Sequence, residues 1–180
     1  KIPIYSRAEV LADVVSFCVA PSILVYNLYC NDLNSIIGAI FSFIPLIAGT
    51  VRLAKYNLES DEGNPRSYFV GLSTPISTVT ILAFMYFSNQ LGGADYYGDQ
   101  RLGLALVCAL GLLMLSPIHF PKVPLITFKS SPSNSILLLI LIVCTLSLFI
   151  WKGIALLPIC IGYIVMNTLI WIFKTKPGNI

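Results

Sequence analysis

Six long apolar runs, at residues 10–28, 36–54, 69–87, 102–118, 135–150 and 154–173, constrain this 180-residue chain more than any other feature. A helix takes roughly 17–25 apolar residues to cross the hydrocarbon core of a bilayer, where every backbone polar group must be satisfied without water. The runs suit that task, the fourth and fifth being the shortest. Composition agrees, with 57% hydrophobic and 11% charged residues, against about 25% charged in an average soluble domain. At a mean hydropathy of +0.85, the surface of such a chain needs lipid as its solvent. The expected fold is all-α, an integral membrane protein of about six transmembrane helices in a single domain over residues 1–180.

The net charge is +3, and its placement says more than its size. Through six crossings, Lys1, Arg7, Arg52, Lys55, Arg66, Lys122, Lys129, Lys174 and Lys176 fall on one side, and only Arg101 and Lys152 on the other. By the positive-inside rule the first side is cytoplasmic, so the chain is expected in the cell's inner membrane. Dispersed basic residues and short loops give no nucleic-acid signature.

Cys18, Cys30, Cys108, Cys144 and Cys160 form no CxxC or Cys/His cluster. Four of them lie in the apolar runs and read as small buried hydrophobes, and zinc-ligand or disulfide roles are not expected. The chain opens on Lys rather than Met, with no charged leader before its first run. That opening reads as a chain whose beginning lies upstream, not as a signal peptide.

Polar groups gather in three places. Glu9 and Asp13 stand four apart at the mouth of the first run, on one helical face. Carboxylates inside a membrane helix are costly and tend to mark ion or reaction sites. This pair suits Mg²⁺ or Mn²⁺, which bind carboxylates together with substrate phosphates. One member could instead act as a general base, or both could be solvated interfacial charges.

Arg52 and Lys55 close the second run in the sequence Arg-Leu-Ala-Lys-Tyr-Asn, ending at Asn57. They can form an anion pocket or snorkel to headgroups at a helix C-terminus. The stretch 59–75, with Arg66, Gly71 and Pro75, is denser in polar groups than a connecting loop requires. Gly71 and Pro75 suggest a backbone irregularity inside the third span. The lone His119 reads as interfacial, and Tyr26, Tyr29, Tyr86, Trp151 and Trp171 as interface anchors.

These residues carry a resemblance. Ala-Asp-Val-Val-Ser-Phe at 12–17 followed by Val-Ala-Pro at 19–21 resembles the end of the CDP-alcohol phosphatidyltransferase signature, most closely as it stands in bacterial and archaeal phosphatidylserine synthases. The likeness continues at 52–57, at Tyr-Phe-Val-Gly-Leu-Ser-Thr-Pro over 68–75, and at 111–121. It implies a phosphatidyltransferase bundle in which the phosphatidyl group of CDP-diacylglycerol passes to serine, giving phosphatidylserine and CMP. Asp13 then matches the signature's final Asp, the implied base. Glu9 matches a metal-binding Asp, one methylene longer, and the implied cofactor is a divalent metal, Mg or Mn.

Arg52, Lys55, Asn57 and Arg66 are the implied acceptor-binding residues. Tyr5 and Cys18 stand where the pattern has Gly, and the Asp-x-x-Asp-Gly-x-x-Ala-Arg half of the signature does not occur in the chain. An N-terminally incomplete phosphatidyltransferase domain is therefore expected, with CDP-diacylglycerol, serine, membrane lipids and, by analogy, a second copy of the chain as partners. Glycerol phosphate or inositol phosphate as acceptor, a non-catalytic homologue, and a small-solute transporter are the competing readings. The lack of any repeat argues against the transporter.

Overall fold

The computed structural model describes residues 4–30, 35–61, 68–92, 100–121 and 153–175. The chain forms α1 (Ile4–Val14), a π-helical turn (Val15–Val19), α2 (Ala20–Tyr29), α3 (Ser35–Asp61), β1 (Tyr68–Val70), α4 (Thr74–Gly92), α5 (Gln100–Leu115), β2 (His119–Pro121) and α6 (Leu156–Thr175). Among the described residues, Ala8–Tyr29, Ile36–Tyr56 and Leu156–Phe173 are long and apolar enough to cross a membrane, and Gln100–Leu115 is a shorter apolar helix. The expected run 135–150 lies outside the described residues.

The third run is corrected. Its helix starts at Thr74 rather than at residue 69, because Tyr68–Val70 is extended and pairs antiparallel with His119–Pro121. Phe69 faces Phe120, and Val70 faces His119, in this two-stranded ribbon. Among the described residues, an otherwise helical fold thus carries one small sheet. The ribbon ties the start of α4 to the end of α5.

Gly71 makes the connection possible. Its φ of +77° is the left-handed region, where a Cβ is strained. A Cβ there would also strike the Met114 carbonyl oxygen. The Gly71 N–H donates to the Ile118 carbonyl at 2.8 Å, and the Leu72 N–H to that of Leu113 at 3.1 Å. Gly71 and Pro75 therefore shape the entry to the third span instead of breaking its middle.

The bundle's centre holds Val25, Tyr29, Leu72, Ile81, Val107, Leu110 and Phe120. Lipid is as apolar as leucine, so close packing rather than escape from water holds such helices together. Gly103 shows how. A Cβ there would come within 2.8 Å of the Tyr29 ring, so only glycine lets α5 lie flat on that ring.

Tyr29 is accordingly 1% exposed, a core residue rather than the interface anchor expected. Its ring tilts against Phe84 at 6.2 Å. Tyr26 and Tyr86 are exposed. Cys18, Cys30 and Cys160 are buried and free, as small apolar side chains would be. Large apolar side chains such as Leu11, Ile36, Leu112 and Phe173 point outward, a surface suited to lipid.

Candidate functional site

Two glycine contacts set the register between the first helical rod and α3. A Cβ on Gly38 would lie 2.9 Å from Cys30 Cβ, and one on Gly49 would lie 2.5 Å from Cys18 Sγ. Position falls on one helix as it rises on the other, so the pair is antiparallel. Continued for about a turn and a half beyond Cys18 and Gly49, that register brings Asp13 level with the turn that carries Arg52 and Lys55. Thr74 starts α4 beside the same contact, its Cγ2 3.4 Å from a Cβ on Gly49. Cys18, Gly49 and Thr74 form a packed floor, with the first carboxylates and cations above it.

The rod is not a plain α-helix. Pro21 has no N–H, so in α geometry the Phe17 carbonyl four residues earlier loses its donor, and the ring crowds that carbonyl. The backbone answers with the π turn Val15–Val19, closed by the Ala20 N–H donating to the Val15 carbonyl. Such single π turns recur at functional sites. The Phe17 carbonyl takes its bond from the Thr78 hydroxyl on α4, at 2.9 Å. Ser22 Oγ donates to the Cys18 carbonyl at 2.8 Å.

The sequence-derived residues divide by environment. Glu9 and Asp13 are exposed on α1. Arg52 is 8% exposed, with its Cζ 5.8 Å from the centre of the Tyr56 ring, within cation–π range. A snorkelling cation would be exposed, so Arg52 is held by the bundle. Lys55 is exposed, so the two cations, three residues apart on α3, differ in burial. The backbone of Asn57 belongs to α3, but its side chain lies outside the described residues, as does the whole of Arg66. His119 is exposed at the ribbon.

No cluster of three or more His, Cys, Asp or Glu able to hold a metal occurs among the described residues. Glu9 and Asp13 supply two hard carboxylates one turn apart. This donor set fits a small divalent cation that completes its shell with phosphate and water.

Thr78 and Tyr56 were not among the residues singled out from sequence. Pro21 inside an apolar run was the available signal for the first, since a missing donor in a membrane calls for a polar side chain on a neighbouring helix.

No family model matches the chain. Over 164 residues it is 32% identical to a CDP-diacylglycerol–serine O-phosphatidyltransferase of Helicobacter pylori, covering 91% of this chain and 65% of that protein. It is 30% identical over 119 residues to the protein of that name from Methanocaldococcus jannaschii, covering 66% of this chain and 50% of the relative. An archaetidylserine synthase of Methanothermobacter thermautotrophicus is 30% identical over 115 residues, covering 63% of this chain and 43% of the relative. The chain thus spans about two-thirds or less of the length of these curated relatives.

Proposed function

We propose that this chain, phosphatidylserine-synthase-like over 91% of its length, belongs to a membrane enzyme that moves the phosphatidyl group of CDP-diacylglycerol onto serine. The observation that carries the reading is the shared level of Asp13 and buried Arg52 above the Cys18–Gly49–Thr74 floor. A carboxylate and a cation there stand at the polar end of apolar helices, where a lipid donor and a soluble amino acid can meet. The one-sided basic residues support a cytoplasmic face and a multi-span bundle of about six helices.

In the reaction the serine hydroxyl oxygen attacks the phosphatidyl phosphorus, and the bond from that phosphorus to the CMP oxygen breaks. CMP leaves with the electron pair. Asp13 accepts the hydroxyl proton as general base. Arg52, with its planar fork held against Tyr56, suits the serine carboxylate, and exposed Lys55 adds a point charge. Glu9 and Asp13 would hold a divalent cation, which would supply neutralisation of charge on the donor diphosphate and on the CMP leaving group.

The test is CMP release by the full-length protein in vesicles containing CDP-diacylglycerol. Serine-dependent release is expected, and Asp13→Asn should lower it by about 10²–10⁴-fold. Release that requires glycerol phosphate or inositol phosphate instead would change the acceptor. Solute flux without CMP release would overturn the enzyme reading.

A further inference from the structure

We infer that Thr78 is a positioning residue: its hydroxyl supplies the hydrogen bond that Pro21 cannot, and so holds the π turn that aims Glu9 and Asp13. The structural part stands on the geometry alone, and the catalytic consequence rests on the phosphatidyltransferase reading above.

The aim can be read from burial. From the end of the π turn through α2 the inward face is marked by Cys18, Ser22, Val25 and Tyr29, all buried. An unbroken α-helix projected back from these residues would turn Leu11 into the bundle and point Glu9 and Asp13 away from it. Instead Leu11 is 65% exposed and Val15 51% exposed, while Val10 and Val14 are the half-buried positions. The π turn holds one residue more than an α turn, which swings α1 by roughly 100° about the rod axis. Glu9 and Asp13 immediately precede Val10 and Val14, so the swing brings them from the outward side to the flank of the bundle.

This geometry has a weak point at the Phe17 carbonyl. It lies within a membrane-grade segment, Ala8–Tyr29, where an unsatisfied carbonyl is costly. Its α-helical donor is absent because residue 21 is proline. Thr78 is buried, and its Oγ1 donates to that carbonyl from another helix 61 residues along the chain. The bond therefore joins α4 to the one irregular turn of the rod, a turn away from Asp13. A serine at 78 could make the same bond, whereas a valine could not.

Solid-state NMR of the full-length protein in bilayers can follow this bond residue by residue. Phe17–Cys18 is the only Phe–Cys step in these 180 residues, and Asp13–Val14 the only Asp–Val step. Pairwise labelling of carbonyl carbon and amide nitrogen in the full-length protein reports each one, the Phe17–Cys18 signal being assigned by its loss in Cys18→Ala and the Asp13–Val14 signal by its loss in Val14→Ile. Thr78→Val is expected to shift both signals, with Thr78→Ser close to wild type at both. A Phe17–Cys18 signal unmoved by Thr78→Val would overturn the clamp. A shift confined to Phe17–Cys18, with Asp13–Val14 unmoved, would overturn the positioning role.

The kinetic arm runs on the same variants. In Thr78→Val, kcat for CMP release should fall about 10–100-fold with the serine KM near wild type, as expected for a displaced reactive group. Thr78→Ser should restore kcat. Equal loss in both variants would overturn the role. A wild-type protein that released no CMP would count against the phosphatidyltransferase reading, while the two NMR signals would still decide the clamp and the swing.

Discussion

Asp13 and Arg52 are the residues on which the proposed chemistry turns, and their surroundings differ sharply. Asp13 is exposed at the end of a helix, whereas Arg52 is packed in the bundle against Tyr56. A buried guanidinium is defined by its fork and its ring contact, so lysine is a poor substitute. Arg52→Lys should raise the KM for serine about tenfold, which corresponds to losing about 1.5 kcal/mol of charged hydrogen bonding. Steady-state kinetics with serine varied checks this, and an unchanged KM would remove Arg52 from the acceptor pocket. The residue types were visible in the sequence, and so was the i,i+4 spacing of the carboxylates. Burial of Arg52 was not, because the 52–57 segment alone reads equally well as a helix end whose cations reach out to headgroups.

At the scale of elements, glycines and one proline decide how helices meet. Gly49→Ala would drive a methyl into Cys18 Sγ and press on Thr74, costing about 1–3 kcal/mol as overpacking does. Thermal unfolding in detergent should show the loss, and Cys18→Ala in the same protein should recover most of it, because the two sites share one contact. Gly71→Ala should cost about 1–2 kcal/mol from the left-handed backbone alone, with the Met114 carbonyl clash added, and should loosen the β1–β2 ribbon.

Apolar periodicity located α6 to within two residues at either end and the start of α3 to within one, whereas α3 continues seven residues past the expected end, to Asp61. It misplaced the start of α4, since Tyr68-Phe69-Val70 is as apolar as a span and only its pairing with His119–Pro121 makes it a strand. It also passed over the π turn. Helical pattern arguments assume a constant 3.6 residues per turn, and Pro21 breaks that constancy.

For the whole molecule, the polar ends of α1 and α3 and the entry to α4 gather at one end of a bundle with an apolar exterior. Such an arrangement suits the proposed reaction, in which a lipid substrate would enter from the side and water-soluble reactants from the face. If Glu9 and Asp13 hold a divalent cation there, removing divalent ions with a chelator should abolish CMP release, and Mg²⁺ or Mn²⁺ should restore it. Release that persists under chelation would separate this chain from metal-dependent chemistry.

The sequence by itself determined the solvent, the number and rough place of the apolar runs, and the polar clusters at Glu9/Asp13 and 52–57. Those follow from local quantities: hydropathy, charge and spacing along one segment. Tertiary structure decided which way the carboxylates face, which cation is buried, and what replaces the donor that Pro21 lacks. Each of these depends on a contact between segments distant in the chain: Cys18 with Gly49, Thr78 with Phe17, and β1 with β2. A proline announces that one hydrogen bond is missing, but only the packed bundle determines which side chain restores it.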